Sequence, residues 1–154
     1  MPDYLDKNSD EFGTPDYIFG PLDREFHFVR DVAASDRNHK VSRYFTKEDN
    51  ALEQDWGDPG DTVWCNPPYS RGNVEAFARK ADAESTRGVT TVMLVPARVE
   101  QPWFHDLVLS NPHNEVRFIK GRVKYNGGKT SARFPSMLVI FRPWDGFVPW
   151  SSLR

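Results

Sequence analysis

Asn66, Pro67, Pro68 and Tyr69 stand in consecutive positions, directly after the apolar run Val63-Trp64-Cys65. That run predicts a buried strand, so the tetrapeptide falls where the strand opens into a loop. Each proline fixes φ and removes a backbone donor, and each disfavours helical geometry in the residue before it. The expected product is a stiff elbow with two acceptors, the Asn66 side-chain oxygen and the Pro67 carbonyl, beside the ring of Tyr69. Acceptors without competing donors suit a substrate that presents an NH2 group. A flat aromatic face suits a planar partner such as a nucleobase. These residue types therefore point to chemistry at an exocyclic amine. A plain strand-ending turn, for which Asn-Pro is a common opener, is the competing reading.

Other polar residues fall near expected strand ends. Asp31 closes a first strand expected over residues 25–32, and the small residues Ala33, Ala34 and Ser35 follow it. Asp49 follows a weaker strand over 41–46, and Asp55-Trp56 precede the strand that ends at Asn66. In open α/β sheets, ligands sit outside the carboxyl ends of the strands. One such acid alone reads as a solvated loop residue, whereas several at corresponding positions read as a site.

The elements that must hold these residues follow from periodicity and punctuation. Thr14-Pro15 predicts a helix start, with Thr14 as N-cap and Pro15 in the first turn, carrying Tyr17, Ile18 and Leu22 inward. Phe26, Phe28 and Arg30 alternate along the first strand. Residues 49–56 read as a short turn-helix or irregular piece. Strands are expected over 62–65, 89–95, 115–119, 122–125 and 137–141, and helices over 73–83 and 101–109. Strands separated by helical patterns predict βαβ units and a mainly parallel sheet. The closing strands lack a helix between them, so an antiparallel pair is expected at the C-terminal end. Residues 1–12 read as a loose polar segment, and 143–154 as irregular structure over a sheet edge.

With 154 residues the chain is expected to be one domain with one core. Its 20 basic and 22 acidic residues nearly cancel, so any polyanion partner must be met by a local patch. The best candidate lies between Arg117 and Arg133, where Lys120, Arg122, Lys124, Lys129 and Arg133 occur without an acid, interleaved with Phe118 and Tyr125. Lysines that keep a hairpin edge soluble are the alternative. A single cysteine, Cys65, excludes an internal disulfide and fits a reducing compartment. The polar start reads as no signal peptide, which with the short apolar runs gives a soluble, cytoplasmic type. His27, His39, His105 and His113 lack metal-ligand spacing, so no metal is expected.

Taken together, these segments resemble the phage-type DNA adenine-N6 methyltransferases, within the S-adenosylmethionine-dependent amino-methyltransferases. The resemblance is carried by Thr14-Pro15, by residues 28–35, and by Tyr44-Phe45-Thr46 with Asp49 and Asp55-Trp56. It is strongest over residues 63–70, and continues through Pro96-Ala97-Arg98, Trp103-Phe104, Lys120-Gly121-Arg122 and Phe134-Pro135-Ser136. Many methyltransferases carry a Gly-x-Gly turn after the first strand; this chain has alanines there, which also permit close approach.

The resemblance implies a single-domain Rossmann-like methyltransferase fold acting in a bacterial host's cytoplasm. It implies S-adenosylmethionine as donor, with Thr14 and Pro15 near its methionine portion, Asp31 and Ala33 lining its site, and Asp49 on its ribose. Asp55 and Trp56 would flank the donor or the target adenine. Asn66, Pro67, Pro68 and Tyr69 would hold a base flipped out of DNA, with Lys120, Arg122, Lys124, Lys129 and Arg133 on phosphates. Methylation of an RNA base or a protein glutamine, and a non-catalytic nucleic-acid-binding module, are the alternatives. Oligomeric state is left open.

Overall fold

The structure, a computed structural model, describes residues 13–126 and 130–143. Its helices are α1 (Asp16–Phe26) and α2 (Asn73–Ser85). The strands are β1 (Arg30–Asp31), β2 (Thr62–Cys65), β3 (Thr90–Pro96), β4 (Glu115–Phe118), β5 (Lys124–Tyr125), β6 (Thr130–Ser131) and β7 (Ser136–Phe141). Five of them form one sheet in the order β1-β2-β3-β7-β4, and β5 pairs with β6 in a separate ribbon. The strands β1, β2 and β3 run parallel, while β7 is antiparallel to both β3 and β4. The chain is thus a mixed α/β open sheet, parallel where the elbow lies and antiparallel at its C-terminal side.

Burial alternates along the central strands. Val63 and Cys65 face one core cluster while Trp64 faces the other. Met93 and Val95 oppose Val92 and Leu94 in the same way, as do Val139 and Phe141 with Leu138 and Ile140. Both sheet faces are covered, which is why these strands read as continuous apolar runs instead of alternating ones. One face packs on Phe77, Ala78 and Ala81 of α2 with Phe104 and Val108; the other packs on Phe19 and Leu22 of α1 with Tyr125 of the ribbon.

The first part of the chain departs from expectation. Pro15, not Thr14, caps α1: its carbonyl accepts the N–H groups of Ile18 and Phe19, and the Thr14 side chain is used elsewhere. Phe19 and Leu22 face inward and Tyr17 faces solvent, reversing the expectation for Tyr17. The helix also runs through Pro21 to Phe26 and stops on His27 in the left-handed region (φ 55). The Asp23 carboxylate then takes the Phe28 N–H at 3.1 Å. Phe26 therefore belongs to the last helical turn, and the strand expected over 25–32 shrinks to two residues. The weak strand over 41–46 shrinks to a parallel bridge between Asp31 and Tyr44.

The strand expected over 122–125 shrinks to β5 and leaves the main sheet to pair with β6, which the sequence pattern did not predict. Residues 49–56 fold as short turns of 3-10 helix, Lys47–Asp49 and Ala51–Glu53. The amphipathic segment before Asn111 is wound as a π-helix over Phe104–Leu109. No helix among the described residues is long and apolar enough to cross a membrane. The segment expected to cover a sheet edge, 143–154, lies outside the described residues apart from Pro143.

Candidate active site

Asp31 ends β1, and β1 pairs with β2 so that Asp31 stands opposite Trp64. Asn66 follows the end of β2, so the carboxylate and the elbow emerge at the same edge of the sheet. Asp31 is 2% exposed, and its two oxygens accept the backbone N–H groups of Ala33 (3.2 Å) and Lys40 (2.9 Å). The Lys40 ammonium turns away to Asp16 at 3.0 Å. Burial outweighs the two amide hydrogen bonds and the weaker pull of His39 and Lys40, and pushes the Asp31 carboxyl up to about 6.

The Asn66 amide is held at both ends. Its nitrogen donates to the Thr14 hydroxyl at 3.0 Å, and its oxygen accepts from the Tyr69 hydroxyl at 2.6 Å. An amide oxygen has two lone pairs, so an incoming amine N–H can be accepted alongside Tyr69. The ring of Tyr69 is not a free platform. It is 4% exposed and meets Tyr125 and Phe134 edge-on, with centroids 6.3 and 5.7 Å away. Burial also pushes its phenol well above the ordinary range, so it is a standing donor. Face-on stacking on Tyr69 thus conflicts with this packing, because the ring serves the core beneath the elbow.

The elbow separates two depressions. One is polar and narrow, about 20 Å³, and is lined by Thr14, Asp31, Ala33, Lys40, Asn66 and Pro67 among others. That is roughly the room of one water, with open surface beyond. The other is a cleft of about 470 Å³ running from Tyr69, Ser70 and Arg71 to Pro96, Arg98 and Trp103. Its size is ordinary for a small-molecule pocket, about 300–1,000 Å³. Arg71 and Arg98, both exposed, line this cleft, and the sequence reading assigned neither a role. The signal was available, since each follows a strand's carboxyl end by a few residues.

The remaining candidates fall in different places. Pro15 caps α1 beside Thr14, and Pro68 continues the loop, half-buried. Asp49 is exposed and accepts the Thr46 N–H at 2.8 Å, closing a capping box on the first 3-10 turn. Asp55 lies with Arg30, Asp58 and Asp61 around a pocket at the amino end of β1 and β2. Trp56 is fully buried, with its backbone N–H on Glu84 (3.0 Å) and its indole N–H on the Ala51 carbonyl (2.9 Å). Because Asp55 and Trp56 precede β2, they come out at the edge opposite Asn66.

Lys120, Arg122, Lys124 and Arg133 are exposed, and Lys129 lies outside the described residues. Arg122 reaches the Ala132 carbonyl at 3.4 Å. Arg117 is different. Its guanidinium binds Glu25 and Glu115, which hold it well above its usual range. Among the described residues no cluster of His, Cys, Asp and Glu could hold a metal ion.

Comparison with known proteins places the chain in a family. The family described as DNA N-6-adenine-methyltransferase (Dam) matches residues 3–153 of the chain. A DNA N-6-adenine-methyltransferase of Haemophilus phage HP1 is 31% identical over 155 residues, covering 96% of this chain and 85% of the relative. A DNA N-6-adenine-methyltransferase of Escherichia phage T1 is 32% identical over 96 residues, covering 62% of this chain and 39% of the relative.

Proposed function

Because the chain belongs to the DNA N-6-adenine-methyltransferase family, and is with it an adenine-specific DNA methyltransferase, we propose that it methylates the N6 amine at the Asn66 elbow with S-adenosylmethionine as donor. One observation carries this reading. The Asn66 amide is clamped between Thr14 and Tyr69, at the carboxyl edge of the sheet, between the Asp31 depression and the larger cleft. The order of the parallel strands β1, β2 and β3 agrees with a Rossmann-like methyltransferase core.

The residues present fit the donor. Asp31 is a buried carboxylate with no ion pair among the described residues, and it would take the ammonium of the donor's amino-acid end. Thr14, Pro15 and Ala33 would lie along that end, with Asp49 toward the ribose. Bound there, S-adenosylmethionine supplies a methyl group made electrophilic by its sulfonium. Asp55 and Trp56 take no part in this proposal, since one lies at the opposite edge and the other in the core.

The chain's own contribution is acceptors and alignment. The lone pair of an adenine amine is delocalised into the ring. The Asn66 oxygen and the Pro67 carbonyl, each accepting one N–H, allow the nitrogen to pyramidalise and stabilise the positive charge that grows on it. Fixing amine and methyl in line supplies the remainder. A stacked base cannot reach this edge, so the adenine must be flipped, at a cost of a few kcal/mol. With Tyr69 packed in the core, the walls of the 470 Å³ cleft and phosphate contacts must offset that cost.

The test is methyl transfer from labelled donor to DNA, RNA and protein in parallel, followed by nucleoside analysis. N6-methyladenine in DNA is expected. Asn66→Ala should lower turnover by roughly 10²–10³, with donor affinity nearly unchanged in a titration without DNA. Turnover at the parent rate in a folded variant would remove Asn66 from the reaction.

A further inference from the structure

We propose that Tyr125, on the ribbon that carries Lys124, is a positioning residue that sets the Asn66 amide through the hydroxyl of Tyr69. This rests on the reading of Asn66 as the acceptor of the target amine.

The Tyr69 hydroxyl has one proton and lies within reach of Asn66 Oδ1 at 2.6 Å, the Leu94 carbonyl at 3.1 Å and the Tyr125 hydroxyl at 3.2 Å. Where that proton goes decides whether Tyr69 holds the Asn66 oxygen. Directed to Asn66, it fixes which end of the amide is oxygen and turns the nitrogen to Thr14. Directed to Leu94, it leaves the amide without the Tyr69 contact. The shortest contact is the one to Asn66. That choice is reinforced when Tyr125 donates into the Tyr69 oxygen.

Tyr125 is fully buried, and its own hydroxyl lies 3.4 Å from Oγ of Ser136, which is 1% exposed. One direction of donation joins these groups with the Asn66 oxygen toward Tyr69. Ser136 donates to Tyr125, Tyr125 to Tyr69, Tyr69 to Asn66, and Asn66 to Thr14. Each hydroxyl in such a chain is both donor and acceptor, and successive bonds polarise one another. The donation from Tyr125 therefore strengthens the Tyr69–Asn66 bond.

A second connection reaches the other end of the same amide. Asn126, next to Tyr125, accepts the Gly13 N–H on its side-chain oxygen at 2.6 Å and donates its own N–H to the Gly13 carbonyl at 2.9 Å. Gly13 precedes Thr14, the partner of the Asn66 nitrogen. The approach is tight: a Cβ on Gly13 would meet that Asn126 oxygen at 2.9 Å. Both partners of the amide are thus fastened to two adjacent residues at the end of β5.

Tyr125→Phe keeps the ring and its edge-on contact with Tyr69 and removes only the hydroxyl. The expected result is a kcat lowered roughly tenfold, the size of one lost hydrogen bond. KM for DNA, donor affinity and thermal midpoint should stay close to the parent. Ser136→Ala, one bond further out, should give a smaller effect of the same kind. In an Asn66→Ala background, Tyr125→Phe should add nothing to the residual rate, because the two act through one path. An unchanged kcat in Tyr125→Phe overturns the proposal. So does a loss that tracks the thermal midpoint, or one that adds in full to Asn66→Ala. Adenine methylation by the parent with full turnover in Asn66→Ala would overturn the Asn66 reading itself, and this inference with it.

Discussion

Two buried carboxylates in this chain are treated in opposite ways, and the contrast separates a structural acid from a ligand-binding one. Glu84, 1% exposed, meets the Lys80 ammonium at 3.1 Å and the Arg87 guanidinium. Asp31, 2% exposed, receives two backbone amides and no ion pair among the described residues, while the Lys40 ammonium is spent on Asp16. Its carboxyl titrates near 3.8 when unfolded and at about 6 when folded. Between those values the folded chain holds a proton that the unfolded chain has lost. Stability therefore falls as pH rises through that window. The full cost, about 3 kcal/mol, is present above pH 6 and absent below about 3.8. Asp31→Asn stays neutral, so its denaturation midpoint should lack this fall between pH 4 and 6. The cationic donor favours the ionised form, so donor affinity should climb up to pH 6 in the parent and stay flat in Asp31→Asn. Parallel pH profiles for the two proteins would remove Asp31 from the donor site. At this scale the sequence placed Asn66 after a recognisable strand, and Asp31 at the end of one that the structure shortens to two residues. It could not show that Tyr69 bonds to Tyr125, since the two are 56 positions apart and nothing local links them.

Among the elements, legibility tracked how much of the pattern was local. The strands β2, β3 and β7 announce themselves as apolar runs because helices or the ribbon cover both faces of the sheet. The first strand misled for a local reason too. Phe26, Phe28 and Arg30 alternate as strand residues would, but the Asp23 side chain and the left-handed His27 end a helix there. Trp56 misled through neighbourhood: it adjoins a strand that leads to the elbow, yet it enters at the far edge. Its burial makes a sharp prediction for the end of α2. Glu84 accepts the Trp56 N–H and ties it to Lys80 and Arg87. Glu84→Ala leaves a buried N–H unmet and takes a carboxylate from Lys80 and Arg87, of which Arg87 keeps Asp55 and the Gly57 carbonyl. Because both cations keep some solvent contact, the loss should be about 2–3 kcal/mol, not the larger value of a fully buried pair. Urea denaturation measures it directly. Donor affinity below the transition should not change, and a variant that lost donor binding while keeping its stability would return this edge to the site.

At the scale of the whole molecule, net charge says little, because the 20 basic and 22 acidic residues cancel. What matters is which cations are still available for phosphate. The sequence suggested one basic stretch from Arg117 to Arg133, and the structure divides it. Arg117 is tied to Glu25 at 2.8 Å and to Glu115 at 2.6 Å, so it brings no net positive charge to a polyanion. Lys120 and Lys124 are exposed, and neither has an ion pair among the described residues. Lys124 also sits against α1, where its backbone N–H meets the exposed Tyr17 hydroxyl at 3.2 Å. If these lysines neutralise phosphates, the logarithm of DNA affinity falls with the logarithm of salt by about 0.9 per contact. Lys120→Ala with Lys124→Ala should make that slope shallower by up to about two contacts. Arg117→Ala should leave it nearly as it was, and the loss of an exposed ion pair should cost at most about 1 kcal/mol of stability. Turnover on DNA already bound should barely respond to the lysine pair, which acts on docking and not on the amine. The measurement is one duplex titrated with each protein across a salt series. A lysine double variant with the parent slope would clear β5 and its approach of phosphate contacts. The search would then move to Arg71 and Arg98 beside the larger cleft, where the same salt series would show a shallower slope on their removal.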